Sequence, residues 1–203
     1  MCEPCGKDNP LLQMIVLKII QFLLVLSTAL LFSAPCAAQK LQWAKYFEDP
    51  QGISDEGGDD IIVDPYGNIY TSGYYGDSTV DFDPGPGVCY LPQGGGLSAF
   101  ILKTDAYGNF IWARGFASQA LGTMDILATV TTPSGDLYAA GHFNGTVDFD
   151  PGPGTNILKS PGNGGCGFVF RMDSSGNVLF VKHIGSTGGA IAYVGIALNP
   201  GGA

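Results

Sequence analysis

The eight residues Val-Asp-Phe-Asp-Pro-Gly-Pro-Gly occur twice, at residues 80–87 and 147–154. They mark a repeat that covers most of the chain. Tyr70 aligns with Tyr138, Gly73 with Gly141, Phe100 with Phe168, Asp105 with Asp173 and Gly108 with Gly176, each pair 68 residues apart. The octapeptides stand 67 apart, because the segment from Tyr74 to Val80 is one residue longer than that from His142 to Val147. A repeat of this length is one supersecondary unit that does not bury its own apolar face and needs neighbours.

Within one repeat the pattern is that of hairpins. Residues 60–63 (Asp-Ile-Ile-Val) lead into Asp64-Pro65-Tyr66-Gly67-Asn68, and a β-rich run follows at residues 69–75. Pro or Asp starts such a turn, and Gly supplies its positive φ. The pattern returns at residues 100–103, turns through Asp105-Ala106-Tyr107-Gly108-Asn109 and leaves along residues 110–114. In the second repeat the matching turns are Pro133-Ser134-Gly135-Asp136 and Asp173-Ser174-Ser175-Gly176-Asn177. Outside residues 11–32 no helical period competes. Each repeat therefore reads as two hairpins, with the octapeptide in the long connection between them.

Tandem four-stranded antiparallel units are the blades of a β-propeller, so the expected fold is all-β. The order Asp-x-x-Gly-Asn-x-x-Trp-Ala-Lys/Arg followed by Pro-x-Gly-Asn-x-Tyr-x-x-Gly resembles the seven-bladed β-propeller repeats of secreted bacterial surface proteins. Residues 105–114 followed by 133–141 carry the resemblance, as do residues 64–73 and 173–182. It covers nearly everything from Leu41 onward. The unit here is longer than is usual for that family, with Asp-Phe-Asp-Pro-Gly-Pro-Gly in place of a shorter linker. The resemblance implies a scaffold and no shared catalytic residues. Repeats are expected at about 48–116 and 117–184, with a partial third at 185–203 that opens on Ile196-Ala197-Leu198-Asn199. Residues 41–47 match the outer strand around Trp112-Ala113-Arg114 without a preceding partner hairpin. A propeller needs about 4–8 blades, so the chain is expected to be the N-terminal piece of a longer protein, with residues 41–47 completing its last blade.

Residues 11–32 are apolar except at Gln13, Lys18, Gln21, Ser27 and Thr28, and small residues follow up to Ala38. Such an order predicts a signal peptide over residues 1–38, cleaved after Ala38, with Met14 a possible true start. An uncleaved membrane anchor is the alternative. Pro35 before Cys36 departs from the pattern of lipoprotein signals. Cys2 and Cys5 would then play no part in the mature protein, which spans residues 39–203. Cys89 and Cys166 stand at non-equivalent repeat positions; export permits their pairing, and two free thiols are the simpler reading. Removing residues 1–38 takes away Lys7, Lys18, Glu3 and Asp8, so the net charge stays at −9. An acidic chain without basic clusters argues against nucleic acid and anionic membranes as partners.

The octapeptide is the candidate site. Asp81 and Asp83 flank Phe82, and Asp148 and Asp150 flank Phe149, so each pair projects to one side of an extended segment. Calcium is the cofactor such a loop would suit, through carboxylates and backbone carbonyls. The competing reading has both phenylalanines in the core, the aspartates accepting backbone N–H bonds, and Pro-Gly-Pro-Gly stiffening a reversal. An enzyme finds little support. His142 and His183 fall in strands, and no nucleophile elbow or phosphate loop occurs. The expected function is a non-catalytic secreted or cell-surface interaction scaffold, its partner an extracellular protein or glycan, with no membrane span in the mature chain. The alternatives are a calcium-dependent extracellular binding module and a fragment of a polysaccharide-active enzyme.

Overall fold

The computed structural model describes residues 10–31, 41–46, 55–76, 80–92, 94–161, 164–185 and 195–199. The chain divides into two units, Met1–Gln42 and Trp43–Ala203. The first holds α1 (Pro10–Leu31), a helix over the apolar run. Its described side chains, Leu17, Phe22 and Leu23 among them, are exposed. Lys18 and Gln21 interrupt that apolar surface, and among the described residues no helix is long and apolar enough to cross a membrane. The expected cleavage site at Ala38 and the Cys2/Cys5 pair lie outside the described residues.

The second unit is all-β. Strands β1 (Glu56–Val63), β2 (Ile69–Tyr75), β3 (Ser98–Thr104) and β4 (Phe110–Phe116) form one antiparallel sheet in chain order. Strands β5 (Ser118–Thr131), β6 (Leu137–Asp148), β7 (Ile157–Lys159), β8 (Cys166–Met172) and β9 (Val178–Ile184) form the other, in the order β5-β6-β8-β9 with β7 paired to β6. All of these strand pairings are antiparallel.

The two sheets repeat each other residue by residue. Ile61 pairs with Thr71 as Thr129 pairs with Ala139, and Ile69 pairs with Thr104 as Leu137 pairs with Met172. Even the irregularities recur. A bulge between Gly58 and Asp60 matches one between Ile126 and Ala128, and a shift at Lys103/Thr104 matches one at Arg171/Met172. Bulges aim side chains and bend strands, so their recurrence belongs to the fold of the unit. The turns close alike: the Asp105 carboxylate accepts the Tyr107 and Asn109 amides, and Asp173 those of Ser175 and Asn177. These are Asx-turns, in which a short acidic side chain replaces a backbone acceptor. Bonds from Asn109 pull the Asp105 carboxyl below its usual range; burial raises that of Asp173, but bonds from Asn177 outweigh it.

The second sheet departs from the expected four strands. Because β6 runs on to Asp148, Val147 pairs with Leu158 and the return from the octapeptide becomes the fifth strand, β7. At the matching place in the first repeat only a single bridge, Asp81 to Tyr90, forms. Residues 41–46, expected as an outer strand, carry no strand. Residues 195–199 likewise carry none.

Each sheet has two faces with different roles. Phe82 packs with Tyr75, Val80, Phe100, Leu102 and Ala113 on one face of the first sheet. On its other face, Tyr70, Ala99, Ile101 and Trp112 join the core shared with the second sheet, where Phe149, Phe168 and Phe170 lie. Strand β3, between its neighbours and covered on both faces, is buried along its whole length. The face of the second sheet that matches Tyr70, Ile101 and Trp112 carries Tyr138, Val169 and Phe180. There Phe180 is 38 % exposed, against 8 % for Trp112.

Candidate functional site

Both octapeptides fold into the same loop. Asp81 Oδ1 accepts the amides of Asp83 (3.0 Å) and Cys89 (2.8 Å), and Asp148 Oδ1 those of Asp150 (3.0 Å) and Asn156 (2.8 Å). The second aspartate of each pair closes the next turn, Asp83 Oδ1 on the Gly85 amide and Asp150 Oδ1 on that of Gly152, both at 2.7 Å. A backbone bond from Phe82 to Cys89 O, matched by Phe149 to Asn156 O, ties the base of the loop. The last glycine leaves room for the carboxylate: a Cβ on Gly87 would lie 2.2 Å from Asp83 Oδ2, and one on Gly154 2.2 Å from Asp150 Oδ2. The residue order thus follows from one design, in which Phe anchors the loop, two carboxylates fold it, and glycines make space for them.

Beside each loop is an open cleft. One of about 430 Å³ is lined by Ala44, Lys45, Asp81, Asp83 and Pro84, and Lys45 Nζ donates to Pro84 O at 3.2 Å. Its counterpart, about 640 Å³, is lined by Arg114, Asp150, Pro151, Asn156 and Asn177. Lys45 and Arg114 are the basic residues of the two Trp-Ala-Lys/Arg sequences. The second loop therefore meets its cation from the preceding repeat, and the first from residues 44–46. Both clefts present carboxylate, carbonyl and cation to a polar ligand. Among the described residues no three His, Cys, Asp or Glu side chains gather to hold a metal. Cys89 and Cys166 are free; burial pushes both thiols up, and the charges of Asp81 and Asp83 push Cys89 further.

The Trp-Ala-Lys/Arg sequence has a second task. Trp112 Nε1 donates to Ser174 O (3.2 Å), Arg114 Nη2 to Ser175 O (3.0 Å) and Arg114 Nε to Gly176 O (3.2 Å). Three consecutive carbonyls of the second sheet's turn are thus read by one strand of the first. Lys103 Nζ adds a bond to Ser174 O at 3.1 Å. Trp43 repeats the contact one unit earlier, donating from Nε1 to Ala106 O at 3.2 Å. The Asx-turn makes this possible, because its own bonds point inward and leave the carbonyls of residues 174–176 free to accept.

Sequence reading paired Asp81 with Asp83 and Asp148 with Asp150, and each pair does share a loop. It missed the role of Gly94-Gly95-Gly96, whose run beside the start of β5 is so close that a Cβ on Gly96 would lie 2.1 Å from Gly122 O. Compared with known proteins, the chain matches no family model, and no curated protein matches it significantly.

Asp148→Ala should destabilise the chain by about 1–3 kcal/mol, because two amides lose one charged acceptor. Asp148→Asn keeps an Oδ1 acceptor and should cost less than about 1 kcal/mol. Urea unfolding of both variants checks the order; equal losses would mean that the charge, and not the turn, holds the loop.

Proposed function

We propose that this protein is an exported, non-catalytic scaffold of β-propeller type, built from stacked repeats whose loops and clefts meet an extracellular protein or glycan. The observation that carries this reading is the equivalence of faces. Tyr70, Ile101 and Trp112 are covered by a following sheet, while Tyr138, Val169 and Phe180, at the same positions one unit on, form the face another such sheet would cover. Stacking of this kind propagates, since each unit presents a turn to the unit before it and a Trp/Arg-type strand to the unit after it. The exposed apolar helix α1 ahead of the sheets supports export, with cleavage after Ala38. Residues 85–87 and 152–154, the exposed ends of the two octapeptides beside a cleft in each repeat, are the surfaces most available to a partner.

Appending one further unit, a copy of residues 117–184, to the chain should raise its melting temperature, because repeat stability grows with each added interface. An unchanged melting temperature would sink the stacking reading. N-terminal sequencing of secreted material should find Gln39.

The second reading is a calcium-dependent module, favoured by the carboxylates lining the clefts, Asp81 and Asp83 in one and Asp150 in the other. Two carboxylates supply part of the ~6–8 oxygens the ion takes, and carbonyls and water the remainder. On that reading millimolar Ca²⁺ raises the melting temperature, and Asp→Asn at both positions of a loop removes the gain. On the scaffold reading Ca²⁺ has no effect.

A further inference from the structure

The seam between the sheets joins the outgoing face of one unit to the incoming face of the next, and the chain carries one more of each. The second outgoing face belongs to the second sheet. Its β9 residue Ile184 is 55 % exposed, while the equivalent Phe116 of β4 is fully buried beside Phe170, at 5.0 Å. Tyr138 and Val169 are half-buried there, where Tyr70 and Ile101 are covered. The second incoming face belongs to the first sheet. Ile61 of β1 is 65 % exposed, while its equivalent Thr129 is buried in the seam, where Asp60 accepts from its amide and its hydroxyl at 2.6 and 2.7 Å. These two open faces match each other. The equivalent of Asp60 in β5 is Ala128, so a contact between them exchanges the polar pair Asp60–Thr129 for the apolar pair Ala128–Ile61. Arg171 and Lys182 stand where Lys103 and Arg114 stand in the first sheet, the cations that donate to the carbonyls of residues 174–176. On the incoming side, the turn equivalent to residues 173–177 is 105–109, folded by the same Asx bonds.

We propose that the chain associates with further copies of itself head to tail, the outgoing face of one copy's second sheet seating on the first sheet of the next. This rests on the stacking reading above and adds that the covering sheet comes from another copy. Such a contact is heterologous: each copy that joins leaves one face of each kind open, so copies add until the series closes. With the two described sheets per chain and about 4–8 in a closed propeller, closure falls at about two to four copies. Short segments of the same chain hold both faces in the single copy. Trp43 gives Ala106 O of the 105–109 turn one bond, whereas the carbonyls of residues 174–176 receive four from Trp112, Arg114 and Lys103. Residues 197–199 rest at one corner of the outgoing face, beside Thr132, Tyr138 and Arg171, and leave Phe180 and Ile184 open. A second copy displaces both segments and covers each face with a whole sheet, which the burial of apolar area favours.

Sedimentation velocity of the full chain over a concentration series should show the monomer giving way to a closed assembly. Ile184→Glu and Ile61→Glu each bring a charge into the contact and should weaken association by about tenfold or more. Leu179→Glu should leave it unchanged, because the equivalent Ile111 stays exposed beside the seam the chain already contains. Mixing decides the orientation. Ile184→Glu keeps its incoming face and Ile61→Glu its outgoing face, so the two variants together should form a mixed dimer that grows no further, which also shows that both are folded. Trp43→Ala should strengthen association, since it loosens the segment that a copy displaces. Several results would overturn the proposal: a monomer at every concentration, association that survives both Glu variants, as contact through α1 would, or a mixture no more associated than its components. So would Ile61→Glu associating like the wild-type chain, since like faces would then meet, or Trp43→Ala weakening the contact. If the appended unit raises the melting temperature while the chain itself stays monomeric, the stacking reading stands and the association of copies falls.

Discussion

Phe149→Ala should destabilise the sheet-bearing unit by about 3–5 kcal/mol, the range for a fully buried aromatic ring. The ring is 0 % exposed and lies among four others, with centroids at 5.2 Å to Phe168, 5.4 Å to Phe143, 6.3 Å to Phe116 and 6.4 Å to Phe170. Those neighbours come from both sheets, so the cavity left behind opens at the seam, where neither sheet is free to collapse alone. Edge-to-face pairs such as Phe149 with Phe143 add about 0.5–1.5 kcal/mol beyond their area. The matching Phe82→Ala should cost less. Phe82 makes the same contacts to Tyr75 and Phe100, at 5.4 and 4.8 Å, but among the described residues its cluster holds far fewer buried residues, all from the first sheet and its loop. Urea denaturation of the two variants measures the difference; equal losses would show that the seam adds nothing to the loop's anchor.

Trp112→Ala should cost a similar amount, about 3–5 kcal/mol, for a different reason. Its indole fills the space between the sheets, meets Tyr70 edge-on at 5.8 Å, carries the Arg114 guanidinium at 5.3 Å and donates to Ser174 O. Trp112→Phe separates these contributions, since it retains most of the apolar area and gives up the N–H; about 1 kcal/mol is expected. Trp43→Ala removes the same kind of donor from the first sheet's turn, but Trp43 is only half-buried and should cost markedly less. If Trp43→Ala and Trp112→Ala prove equally damaging, docking on the turn and not burial between sheets carries the energy.

Much of the strand pattern was legible because it is local. Asp-x-x-Gly-Asn closes its own turn through bonds within five residues, and period-two alternation needs only the strand itself to be read. The octapeptide was legible as a loop for the same reason, since Asp83 bonds two residues on, at Gly85. Its fifth strand was not. Whether residues 157–159 pair depends on how far β6 runs beyond its hairpin, and β6 is long because its other edge is held by a still longer β5.

The sequence by itself determined the repeat, its turns and the residues that fold them, because those bonds close within a few positions of the chain. Tertiary structure decided which surfaces meet. Only the packing of one sheet on the other buries Trp112 while Phe180 stays open, and lays Gly96 on the backbone of Gly122. Repeats align residues of the same rank in successive units. A seam joins residues of different rank, chosen by the outgoing face of one sheet and the incoming face of the next. That pairing is a property of two packed surfaces, and no spacing along the chain encodes it.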